Sequence, residues 1–98
     1  FVVGDRDGTA ANPALSKIIC AFLSNLDYSV AYNHPYKGVE LVRRYSNPAA
    51  QRHSIQLEIN RKLYMDEGSL EVTPGFVPLR KHLQQLVALL LTLDTHRF

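Results

Sequence analysis

Ninety-eight residues suffice for one small domain and exclude two, because single cores are typically built from roughly 100 to 150 residues. Apolar residues make up 46% and charged ones 20%, with five glycines and five prolines, which excludes disorder, collagen-like repeats and low complexity. Eleven Lys and Arg against nine Asp and Glu leave a formal charge of +2, too weak a field to imply a nucleic acid or an anionic lipid surface as partner.

Residues 1–11, FVVGDRDGTAA, read as the end of a short strand running into a loop, since Gly4-Asp5 and Asp7-Gly8 are turn chemistry. The chain opens on Phe1-Val2-Val3-Gly4, with no Met, basic stretch or small-residue cleavage site, so it is expected to be a fragment and not to start with a signal peptide. From Asn12 the pattern is helical. Asn12 suits the cap and Pro13 the first position, and Leu15, Ile18, Ile19, Phe22, Leu23 and Leu26 fall on one face. The lone Cys20, set among Ile18, Ile19 and Phe22, has no internal disulfide partner and reads as a small buried hydrophobe in a reducing, cytoplasmic compartment.

Tyr28 to Asn33 reads as a short strand that stops at His34-Pro35. Tyr36 to Gln51 reads as a long, mostly irregular connection with one small strand around Val39 to Val42. Ser54 to Asn60, SIQLEIN, alternates strictly, with Ile55, Leu57 and Ile59 on one face and Ser54, Gln56, Glu58 and Asn60 on the other. After a loop at Asp66-Glu67-Gly68, Thr73-Pro74 signals a helix start, and Phe76, Leu79, Leu83, Leu86, Val87, Leu90 and Leu93 recur at helical spacing, with Pro78 delaying the regular turns. The longest apolar run, Leu86 to Leu91, is six residues, far short of the roughly 18 to 20 that a membrane span needs. This order of elements suits an α/β fold in which helices cover a sheet in three layers, and both long helices show apolar faces wide enough for a larger sheet.

Three constellations bear chemistry. In a strand, residues two apart lie about 7 Å apart on one face, so Gln56, Glu58 and Asn60 form a row. That row either faces solvent at a sheet edge or lines a cleft, where burial would raise a carboxyl toward the range of a general base. The histidines His34, His53, His82 and His96 form no metal-binding spacing; His53 beside the strand is a structural residue or a ligand, and His82 and His96 read as solvated. Arg43 and Arg44, with Tyr36 and Tyr45 near them, suit either a small anionic-substrate pocket or surface salt bridges to Asp66 or Glu67. Reading Arg43, Arg44, Tyr45 and Arg52 as a nucleic-acid surface fails on the low net charge.

The runs Gly4-Asp5-Arg6-Asp7-Gly8-Thr9, Asn33-His34-Pro35-Tyr36-Lys37-Gly38, Arg43-Arg44-Tyr45, His53 to Arg61 and Leu63 to Glu67 together resemble the C-terminal part of the N-formylglutamate amidohydrolase (deformylase) family, across nearly the whole chain. The resemblance implies that residues 1–98 are the C-terminal part of a single amidohydrolase domain whose N-terminal part is absent. The implied fold is an α/β/α sandwich on a mixed sheet, like that of the zinc carboxypeptidases and of phosphorylase/hydrolase-like proteins. The implied activity is cleavage of N-formyl-L-glutamate to formate and glutamate in histidine breakdown. By the same resemblance Glu58 matches the glutamate that activates the metal-bound water, which implies the cleft and not the solvent-facing edge for its row, and Arg43, Tyr36 and Asn33 hold the substrate's carboxylates with Arg44 as an added cation; His53 is expected as a supporting residue near the strand. The implied cofactor is zinc, with its ligands upstream of this chain and none of the metal ligands within it. Val39 stands where the family usually has a second glycine, Arg44 where it has histidine and Ser46 where glycine is common, so another N-acylated amino acid is an alternative substrate. A noncatalytic α/β binding or scaffold module that has lost its metal is the alternative from another class.

Overall fold

The computed structural model describes residues 1–94 and 97–98. It divides into two compact units, residues 1–58 with 94–98 and residues 59–93. The first is a small α/β unit on a mixed three-stranded sheet.

Its central strand β1 (Val2–Gly4) pairs in parallel with β2 (Ala31–Tyr32) and antiparallel with β3 (Gln56–Glu58). Helix α1 (Pro13–Asn25) makes the crossover that parallel neighbours require and packs on β1. The sequence sets its start: the Asn12 side chain accepts from the Ala14 amide at 3.0 Å, and Pro13 occupies a position whose N–H would have no helical partner. Leu15, Ile19 and Leu23 of the expected stripe are buried, with Val3 and Ala11 completing the core of this unit. Cys20 is half-buried on the same helix, and its burial, with the negative charge of Asp5 behind it, pushes the thiol up and away from nucleophilic character.

The strands are shorter than the alternation predicts. β1 offers three residues as a template, so β3 pairs over three of the seven expected positions. β2 ends where Asn33 takes a left-handed backbone at φ 55°. The expected small strand around Val39 to Val42 is instead the start of a short helix α2 (Glu40–Arg44), followed by a single 3-10 turn at Pro48–Ala50. Glu40 opens α2 and Arg43 and Arg44 close it, the charge order that a helix dipole favours, and only Val42 is buried.

Gly4 is where the chain needs a missing side chain. A Cβ there would lie 2.7 Å from the Lys37 carbonyl carbon and 2.8 Å from its oxygen, so the Lys37–Gly38 backbone rests directly on the sheet. The Lys37 oxygen accepts from the Arg6 amide at 2.7 Å, and Arg6 Nη1 donates to the Gly38 oxygen at 2.9 Å. Gly4→Ala must displace backbone, and overpacking of this kind costs about 1–3 kcal/mol. Urea unfolding of the purified variant is expected to show a lowered midpoint with an unchanged slope.

The second unit contains helix α3 (Phe76–Thr92), which starts three residues after Thr73 and keeps Pro78 in its first turn, where a proline disrupts nothing. Leu79 and Leu86 are buried, whereas Val77, Val87 and Leu91 are exposed. His82 is half-buried on this helix and not solvated as the sequence suggests, and His96 lies outside the described residues. Among the described residues no helix is long and apolar enough to cross a membrane.

Candidate functional site

Register fixes which side chains share a face. In the antiparallel pair Val2 stands opposite Glu58, Val3 opposite Leu57 and Gly4 opposite Gln56, so Glu58 and Gln56 share a face with Val2 and Gly4. Val3 and its partners Leu57 and Tyr32 point the other way, toward the buried side. Because the Lys37–Gly38 backbone occupies the space above Gly4, the loop carrying Tyr36 to Val39 lies over the Glu58 face. The row expected from alternation therefore exists, and a loop that holds candidate substrate residues borders it.

Glu58 itself is exposed on an edge strand. The arrangement within the described residues is thus the solvent-facing one of the two expected. A single neighbour orients the carboxylate: Gln56 Nε2 donates to Glu58 Oε2 at 3.2 Å, while Gln56 Oε1 accepts from the Val39 amide at 3.2 Å.

The candidate binding residues do not converge as one group. Arg43 forms a fork with Glu40 within α2, with Nε 2.8 and 3.0 Å from the two carboxylate oxygens and Nη2 also bonded to Oε1. Hydrogen bonding from Arg43 holds the Glu40 carboxyl below its usual range, and the same bond raises the guanidinium. Its ion-pair partner is thus neither Asp66 nor Glu67, and its Nη1 edge remains a donor for another anion. Arg44 stacks its guanidinium 5.7 Å from the centre of the Tyr45 ring. Tyr36 is 54% exposed.

Asn33 is largely committed elsewhere. Its Oδ1 accepts from the Asp5 amide at 3.0 Å and its Nδ2 donates to Asp5 Oδ1 at 2.8 Å, leaving one amide hydrogen for any further partner. His53 Nδ1 accepts from the Asn12 amide at 3.1 Å, which places the ring proton of a neutral imidazole on Nε2; its ring meets Phe98 edge-on, and the buried Nε2 has no hydrogen-bond partner among the described residues.

Sequence reading missed Asp5, the most enclosed charge in the unit. It is fully buried. Ser16 Oγ donates to its Oδ2 at 2.7 Å, Tyr32 Oη donates to the same oxygen, and the Gly8 amide donates to Oδ1 at 2.8 Å beside Asn33. Burial opposes its ionisation, but the bonds from Tyr32, Asn33, Ser16 and Gly8 outweigh that and hold its carboxyl below the ordinary value. The Tyr32 phenol, desolvated and facing this carboxylate, is pushed up to about 12. The signals in the chain are its place directly after an apolar strand, where turn chemistry accounts for it without a partner, and its membership of the Gly4 to Thr9 run that resembles the family.

Each unit carries a concave surface. One of about 380 Å³ is lined by Asp7, Gly8, Pro13, Lys17, Tyr32 and Asn33. The other, about 570 Å³, is a mostly apolar groove of the second unit between Ile59, Tyr64, Phe76, Leu79, Leu83 and Val87, with Arg80 and Gln84 as its polar members. Glu58 lines neither. Among the described residues no three His, Cys, Asp or Glu side chains gather in a metal-binding group, so these residues do not by themselves fit a zinc ion.

A sequence profile described as N-formylglutamate amidohydrolase matches residues 1–65. The N-formylglutamate deformylases of Pseudomonas aeruginosa and Pseudomonas putida are 34% and 33% identical to the chain over 70 residues, 68% of this chain and 26% of each of theirs. The crystal structure of N-formylglutamate amidohydrolase from Ralstonia eutropha JMP134 matches with a TM-score of 0.82 and 46% identity, over 87% of this chain and 30% of that one. The chain spans about a quarter of the length of the curated relatives it matches.

Proposed function

Because the chain belongs to the N-formylglutamate amidohydrolase family, we propose that the protein it represents hydrolyses an N-formylated acidic amino acid, N-formyl-L-glutamate first among them, to formate and the free amino acid. The observation that carries this reading is the Glu58 carboxylate, fixed on a strand within the matched residues, on the face bordered by the Tyr36–Val39 loop. We place this chain as part of a larger α/β/α sandwich of the zinc-carboxypeptidase kind, with histidine breakdown as its setting.

In this reading Glu58 accepts a proton from the attacking water as the new C–O bond forms at the formyl carbon. It returns that proton to the nitrogen as the C–N bond breaks, so that formate and amine leave in balance. The Nη1 edge of Arg43 and the Tyr36 hydroxyl are the donors for the substrate's carboxylates. Among the described residues no three His, Cys, Asp or Glu side chains form a set that would hold the zinc the family resemblance calls for, and the roles proposed for this chain are proton movement and substrate binding.

The test is formate release by the full-length protein. N-formyl-L-glutamate is expected to turn over, and N-formyl-L-leucine, which leaves the side-chain donors unpaired, is expected to have a kcat/KM lower by about 10²-fold or more. Failure to release formate from any N-formyl amino acid would favour a noncatalytic α/β module.

A further inference from the structure

We propose that Gln56 is a positioning residue of the hydrolytic site, aiming the Glu58 carboxylate and coupling it to the loop that carries Tyr36; this rests on Glu58 being the proton carrier. The side chain reaches two groups at once, the Val39 amide through Oε1 and Glu58 Oε2 through Nε2, each at 3.2 Å. Chemistry fixes its orientation: turning the amide over would set its NH2 against the Val39 N–H and its oxygen against a carboxylate, losing both bonds.

The arrangement has a mechanical consequence. Gln56 and Glu58 are two residues apart on one strand face, so the amide can hold the carboxylate only from one side. In this proposal the other oxygen, Oε1, is the one that takes the proton. Val39 is the residue immediately before α2, and Lys37 lies packed on Gly4, opposite Gln56 in the sheet. The amide thus ties the loop's end to the carboxylate across a short, rigid span. A general base misplaced by an ångström loses rate and not affinity, because the proton is moved only in the transition state.

Two variants separate this role from a merely structural one. Gln56→Glu keeps an acceptor for the Val39 amide but has no donor for Glu58, and Gln56→Met has neither. With full-length protein and N-formyl-L-glutamate, kcat is expected to fall about tenfold in both, with KM within about twofold of wild type. Both should lower Tm slightly, Gln56→Met by losing the Val39 bond and Gln56→Glu by setting a second carboxylate against Glu58. Wild-type kcat in either variant would overturn the proposal, as would a rise in KM with kcat unchanged, the mark of a substrate contact. Full turnover in Glu58→Gln would overturn the proton-carrier reading beneath it, on a different residue and a different measurement.

Discussion

Glu58→Gln is expected to lower kcat on N-formyl-L-glutamate by about 10²- to 10⁴-fold, the range that loss of a general acid–base group spans. The substitution keeps length, planarity and one oxygen on β3, so the strand and its pairing with Val2 persist. What disappears is the capacity to accept a proton and pass it on. The neighbouring Gln56 amide still finds an oxygen, which makes misfolding a poor explanation for any loss. KM should move little, because Glu58 has no assigned contact with the ground-state substrate. Steady-state kinetics on the full-length protein, with thermal unfolding as a control for folding, measures both numbers. Undiminished turnover would remove Glu58 from the mechanism.

Asp5→Ala is expected to produce the largest loss of stability, about 3–5 kcal/mol, because it deletes one partner of a buried charged network and leaves the others unpaired. Four donors converge on this carboxylate from α1, β2 and two loop segments: Ser16, Tyr32, Asn33 and the Gly8 amide. Without it the fully buried Ser16 hydroxyl and the partly buried Tyr32 hydroxyl lose their acceptor. Asp5→Asn retains shape and an oxygen for two of the donors and should lose less.

The charge of Asp5 also sets a pH dependence with a definite sign. Its carboxyl in the folded protein is held below the ordinary value despite burial, by the hydrogen bonds it receives. A group depressed on folding contributes stability that is fully present above its unfolded value, about 4, and is lost as the pH falls from there through the folded value. The difference in unfolding free energy between wild type and Asp5→Asn should therefore be constant at neutral pH and shrink below about pH 4. Urea titrations at several pH values check it.

Periodicity made the long elements legible. α1 was readable to its cap because Asn12, Pro13 and the stripe from Leu15 to Leu26 agree in phase. The alternation of SIQLEIN placed Gln56 and Glu58 on one face before any pairing was known. Strand length was not readable, since it depends on how many residues the partner offers, and β1 offers three. The stretch Val39 to Val42 differs from the expectation because three apolar residues in four fit a strand or one helical turn, and the charges of Glu40 within it and Arg43 after it decide for the helix. The families of contacts that make the site were hidden for a different reason. Tyr32 and Asn33 meet Asp5 from 27 and 28 positions away, and no local pattern encodes that distance. The motif resemblance supplied the family, while Gln56, which has no role by composition, emerged only from the geometry of its two bonds.

Both pairings of the sheet converge on the three residues of β1, one reaching it from Ala31 and the other from Glu58. Among the described residues neither flanking strand has another strand partner, so each depends on the middle one. The first unit should consequently assemble late and all together, its ladder closing only after two long intervening stretches have come home, and should fold more slowly than its size alone suggests. The exposed acid on the rim then inherits its rigidity from a cooperative event that begins far from it along the chain.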